Sequence, residues 1–155
     1  MSIPVEMDVW KSDAANEQQI DRVLAHYHSP FVGRGSLIFH IASQEGLNPI
    51  FILAVMQQTS SFGNRANQPS LKSENIANPM AVHFNEGAKG ILKLRLRGGN
   101  MPTFEQSLIA FAHDFKARAA GSATPITAYA CSQGSPPTWS AQVLRAMLNI
   151  SRYAH

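Results

Sequence analysis

The chain has 155 residues, enough for one domain that buries roughly 70% of the surface its unfolded chain exposes. An apolar fraction of 45% excludes a disordered chain, and the longest apolar run, Ile50 to Met56, falls well short of the ~20 residues a membrane helix needs. A formal charge of +3 suits an acidic polymer as partner only where it gathers on one face.

Residues 1–15 contain Pro4 and no sustained period, and read as an N-terminal arm laid over a domain of residues 16–155. The arm carries Glu6 and Asp8 and lacks a basic region followed by an apolar one, so it does not read as a signal peptide. Asn16 and Gln19 have capping-box spacing and open a first helix, with Ile20, Val23, Leu24 and Tyr27 on one face and Pro30 as its stop. Ser36 is placed to cap a second helix running to about Glu45, with Leu37, Ile38 and Ile41 inward and Gly46 as its terminal glycine. Asn48 and Pro49 restart a helix that runs to about Gln58. Its apolar run leaves no polar face, which predicts the most buried element of the domain.

That helix stops at Thr59-Ser60-Ser61-Phe62-Gly63, and the polar residues 64–78 read as a surface loop. From 78 to 98 the period changes to two: Leu92, Leu94 and Leu96 alternate with Lys93, Arg95 and Arg97. With Met80 to Phe84 as partner strand, this predicts a small β-hairpin with a basic outer face. Thr103 and Gln106 repeat the capping box ahead of an apolar stripe of Phe104, Leu108, Phe111 and Phe115. A short helix around Ile126 to Cys131 precedes a last one from about Thr138 to Tyr153, with Trp139, Val143, Met147 and Ile150 inward. The expected fold is mainly α, with five to seven helices and one small β-hairpin. The Met and aromatic stripes read as core rather than cofactor contacts. Cys131 stands alone, and the histidines have no ligand spacing, so neither a disulfide, a metal nor a cofactor is expected.

The ordered set of segments resembles the endo-β-N-acetylglucosaminidase and flagellar muramidase group of peptidoglycan hydrolases, within the lysozyme-like superfamily. SPFVGRGSLIFHIASQEGLNPIFILAVMQQTSSFGN looks like that family's helix, Gly-x-x-Pro turn, buried helix and Glu-Ser-Ser-Phe-Gly. NPMAVHF sits where the family has an Asn-Pro-Phe-Gly-Ile type strand. PTFEQSLIAFAHDF and ITAYACSQGSPPTWSAQVLRAM resemble the later helices, so the likeness covers nearly all of the chain after residue 16.

The resemblance implies a lysozyme-like fold, a partner that is a glycan with N-acetylated sugars, and a setting in the cell envelope or outside the cell. It also exposes a departure, because the family's catalytic glutamate falls on Thr59, and a shift by one residue puts it on Gln58. A threonine hydroxyl cannot deliver a proton near neutral pH, and a general acid contributes ~10²–10⁴-fold to rate. Among the ten acids, Glu45 reads as a surface residue at a helix end, and Glu105 and Asp114 as a solvated helix face. Glu74, in the polar loop, and Glu86, at the hairpin tip, are the candidates to replace the missing acid. Phe62, Tyr129 and Phe84 are the candidate sugar-contacting aromatics, with core packing as the competing role for Phe62.

Three functions compete. The first is a domain that recognises the glycan with lost or reduced hydrolysis. The second is an active hydrolase, through Glu86 or Glu74, or a hydrolase whose Thr59 is an engineered inactivating substitution. The third is a non-catalytic basic structural or nucleic-acid-binding module using Lys89, Lys93, Arg95 and Arg97; nucleic acid ranks last, because a solvated hairpin face is the commoner cause of such a pattern.

Overall fold

The computed structural model describes residues 3–63, 79–80, 103–136 and 138–154. Six α-helices account for most of them: α1 (Glu17–His26), α2 (Gly35–Glu45), α3 (Pro49–Ser60), α4 (Phe104–Ala119), α5 (Pro125–Ser132) and α6 (Thr138–Ala154). A 3-10 turn at Glu6–Trp10 precedes them, and no strand occurs among the described residues. The protein is mainly α. The expected hairpin lies outside the described residues, save for Pro79 and Met80, which form part of a turn.

The helices begin where the chain supplies partners for their free N–H groups. Asn16 and Gln19 exchange hydrogen bonds of 2.8 Å, and Thr103 and Gln106 exchange bonds of 2.9 and 3.1 Å. Asn48 Oδ1 accepts from Ile50 N at 2.8 Å, with Pro49 opening α3. Gly46 ends α2 with a left-handed φ of 69°, a conformation that costs glycine nothing.

Two starts differ from expectation. Ser36 does not cap α2; it lies inside the helix, which begins at Gly35. Asp21 of α1 takes over that task, its Oδ1 accepting from Gly33 N at 3.0 Å and Gly35 N at 2.9 Å. A Cβ on Gly35 would lie 2.4 Å from the Glu17 carbonyl oxygen, so the α1–α2 approach requires glycine there. Likewise α5 has no local cap, and Glu6 of the arm accepts from Thr127 N at 2.6 Å and from Thr127 Oγ1 at 2.9 Å. The first helix also stops before Pro30. Tyr27 closes it, and His28 reverses the chain with a φ of 53°.

The arm is part of the packing. Val9 is fully buried and its carbonyl accepts from Asn48 N at 2.7 Å, while Trp10 packs on Phe115. At the centre, every residue of α3 from Pro49 to Met56 is buried. α3 lies along α6, which also packs on α1 and α5, while α4 packs on α2 and α5. Phe51 of α3 packs against Phe111 and Phe115 of α4, joining the two apolar stripes in one core. No single helix among the described residues is long and apolar enough to cross a membrane.

Candidate functional site

The end of α3 is built from an unusual run of backbone. Ser61, Phe62 and Gly63 have φ of 50°, 57° and 83°, a left-handed path that costs a non-glycine residue ~1–2 kcal/mol. Local bonds close it: Ser61 N donates to Gln57 O at 3.0 Å, and Gly63 N to Ser60 O at 2.9 Å. The segment before α2 holds it from outside. Ser29 Oγ donates to the Phe62 carbonyl at 2.8 Å and accepts from Phe31 N at 3.1 Å. A Cβ at Gly63 would stand 2.8 Å from the Phe31 ring, so the close approach itself selects glycine.

Thr59 is half-buried on the last turn of this helix. Its hydroxyl lies 2.6 Å from the Pro79 carbonyl oxygen, 3.0 Å from that of Val55 and 3.4 Å from that of Met56. One proton shared among three acceptors leaves the shortest bond, to Pro79, as the dominant one. The next N–H along, that of Met80, donates to Ser107 Oγ of α4 at 3.3 Å. The Pro79–Met80 peptide is thereby gripped at its carbonyl by α3 and at its N–H by α4. In chemical terms the position offers a neutral hydroxyl bound to backbone carbonyls, with no ionisable proton. Gln58, one residue earlier, is exposed.

None of the eight described acids is hydrogen-bonded to Thr59. Glu6 and Asp21 cap α5 and α2, as above. Asp8 accepts from Val5 N at 2.9 Å and pairs with Lys11 at 3.0 Å. Glu45 is not the free surface residue expected: its side chain, 10% exposed, joins α2 to His113 and Lys116 of α4, with the lysine at 2.8 Å. Burial alone would raise its carboxyl, but the Lys116 hydrogen bond and the charges of His113 and Lys116 outweigh burial and hold it below its ordinary value. Nor is Asp114 merely solvated. It pairs with Arg118 at 2.8 Å and accepts from the Tyr129 hydroxyl at 3.3 Å. Asp13, Glu17 and Glu105 are exposed. Glu74, Glu86 and Phe84 lie outside the described residues, as do Lys89, Lys93, Arg95 and Arg97.

Neither of the two described candidate sugar-contacting aromatics has an open face. Phe62 is 1% exposed and stacks on Tyr27 at 4.7 Å. Tyr129 is 4% exposed among Phe111, Phe115 and Trp139, and its hydroxyl also accepts from Gln133 at 2.7 Å. Burial first, then the Asp114 carboxylate, pushes its phenol far above the ordinary tyrosine value. Both act as core residues.

An aromatic group that periodicity does not bring together lies nearby. His26 and Tyr27 of the α1 end meet Tyr153 of α6, and Tyr27 links them to Phe62. The available signal was the adjacency of His26 to Tyr27, the last residue of the apolar face of α1. Among the described residues, no three His, Cys, Asp or Glu side chains come together as metal ligands would.

No protein-family model matches the chain, and neither a curated protein nor a solved structure matches it.

Proposed function

We propose that this chain is a glucosaminidase-like domain of the lysozyme type that recognises N-acetylated glycan strands such as peptidoglycan, with hydrolysis lost or much reduced. The observation that carries this proposal is Thr59. It occupies the position where the resembled enzymes keep their acid, on the last turn of a helix buried from Pro49 to Met56, and its hydroxyl is bound to the Pro79 and Val55 carbonyls. A glycosidic oxygen needs a carboxylic acid to protonate it as it leaves, and no described acid bonds to Thr59. The helix order, the Asn-Pro turn into α3 and the Ser-Ser-Phe-Gly exit support the glycan-recognising scaffold. On this proposal the domain works in the cell envelope or outside the cell.

Turbidity of a purified cell-wall suspension tests the loss of hydrolysis. Clearing should be absent, or at least about a hundredfold slower than that of an acid-bearing enzyme, the loss expected when a general acid is missing. Rapid clearing abolished by Glu86→Gln or Glu74→Gln would make the chain an active hydrolase and identify its acid.

A further inference from the structure

The C-terminal ends of α1, α3 and α6 converge on one ladder of rings. Phe62, just beyond α3, is buried and stacks on Tyr27 at 4.7 Å. Tyr27 meets His26 edge-on at 4.9 Å and Tyr153 edge-on at 5.8 Å. His26 lies flat on Tyr153, with centroids 3.5 Å apart and planes within 17°. The ladder thus runs from the segment after Thr59 outward to Tyr153, which is 40% exposed, and to the exposed His26. Rings ordered on the surface add little to the core, yet they give up rotamer freedom. Such order lowers the cost of binding a ligand across them.

Among the described residues, the charged side chains that α1 and α6 carry on the side of the ladder are basic. Arg22, one turn before His26, uses Nη1 to hold the Ala154 carbonyl at 3.0 Å, beside Tyr153. Arg145 and Arg152 are exposed and share one side of α6. Neither α3 nor α6 contains an Asp or Glu. The acids of α1, Glu17 and Asp21, fall on the face away from Arg22 and His26, where Asp21 is bound to Gly33 and Gly35.

We propose that this shelf binds a glycan strand carrying carboxylate substituents, with a pyranose ring against Tyr153 and His26 and the acid groups met by Arg22 and Arg152. The proposal rests on the glycan-recognition function above and adds a site and a charge preference to it. Charge spacing favours such a strand over nucleic acid. A strand of nucleic acid carries a charge on every nucleotide, a denser series than three arginines, one already bound to a carbonyl, can match. Sparse carboxylates match them well.

The test compares binding of two soluble oligosaccharides of equal length. One consists of N-acetylglucosamine alone, and the other alternates it with a lactyl-substituted, carboxylate-bearing N-acetylglucosamine. The wild-type chain should prefer the acidic strand, and the preference should shrink with added salt. Tyr153→Ala should weaken both about tenfold, equivalent to ~1.4 kcal/mol. Tyr153→Trp should retain binding, and Arg152→Gln should weaken the acidic strand alone. Arg152 is exposed, so its variant remains informative if Arg22→Gln disturbs the α1–α6 contact. Equal binding by wild type, Tyr153→Ala and Arg152→Gln would overturn the shelf and leave glycan recognition standing. Failure of the wild type to bind either strand would overturn both. Tighter capture of a single-stranded oligonucleotide at the same salt would assign the surface to nucleic acid and overturn the proposal.

Discussion

Ser29 holds Phe62 in place through the backbone: its buried hydroxyl donates to the Phe62 carbonyl at 2.8 Å while receiving the Phe31 N–H at 3.1 Å. One side chain therefore ties the end of α1 and the start of α2 to the left-handed exit of α3. Ser29→Ala leaves a buried carbonyl and a buried N–H without this partner, a loss of ~1–3 kcal/mol. Urea unfolding should show it as a lower midpoint at unchanged slope. A midpoint equal to wild type would mean that the α3 exit is held by packing alone.

Thr59→Glu should destabilise the fold and, on the proposed function, give the chain some glycan cleavage. The longer side chain would lose the Thr59 hydroxyl bonds to the Val55 and Pro79 carbonyls and set a carboxyl in half-buried, carbonyl-rich surroundings. The carbonyls and partial desolvation both raise its pKa, in the direction a general acid requires. The expected pair of outcomes is a lower melting temperature with new glycan hydrolysis. A folded Thr59→Glu chain that binds glycan and cleaves none of it would show that more than an acid is missing for hydrolysis, and would favour a binding role alone.

Leu53 is fully buried at the middle of α3. Truncation to alanine removes its transfer free energy and leaves a cavity, together ~2–5 kcal/mol. Thermal unfolding of Leu53→Ala checks this, and a shift within error would place α3 at the periphery of the core.

The Glu45 ion group gives the stability a pH dependence of known sign. Its carboxyl is held below the ordinary value in the folded chain, so the unfolded chain takes up that proton more readily. The stabilisation is therefore complete above the ordinary glutamate range and fades as pH falls through the lower, folded value. His113 and Lys116 are each more than a third exposed, so solvent weakens the effect. Glu45→Gln should melt below wild type at neutral pH, with the gap closing as pH falls below the ordinary glutamate range. A gap that widens in acid would reverse the assigned sign.

The parts of the fold legible from the sequence are those whose partners lie within a few residues. The Asn16–Gln19 and Thr103–Gln106 boxes, the Asn48–Pro49 start and the Phe104–Phe115 stripe are of this kind, because each is specified by a local spacing. The caps of α2 and α5 are not. Asp21 reaches Gly35 from another helix, and Glu6 reaches Thr127 across almost the whole chain, so no local pattern marks either. Charge pairing hid Glu45 in the same way, since its partners sit on α4. The Ser-Ser-Phe-Gly run marked the end of α3 and the turn after it, but residue type alone does not say which way an aromatic faces. Tyr129 and Phe62 turned inward, while Tyr153, unremarkable on its own helix, gained its setting from His26 of α1.

The most direct test of the central claim is a single titration of the purified chain with a soluble N-acetylglucosamine oligosaccharide, with binding heat and chain cleavage followed in the same sample. A saturable binding isotherm with the oligosaccharide intact at the end is the predicted result. Absence of binding, or rapid conversion to shorter products by the unaltered chain, would contradict it.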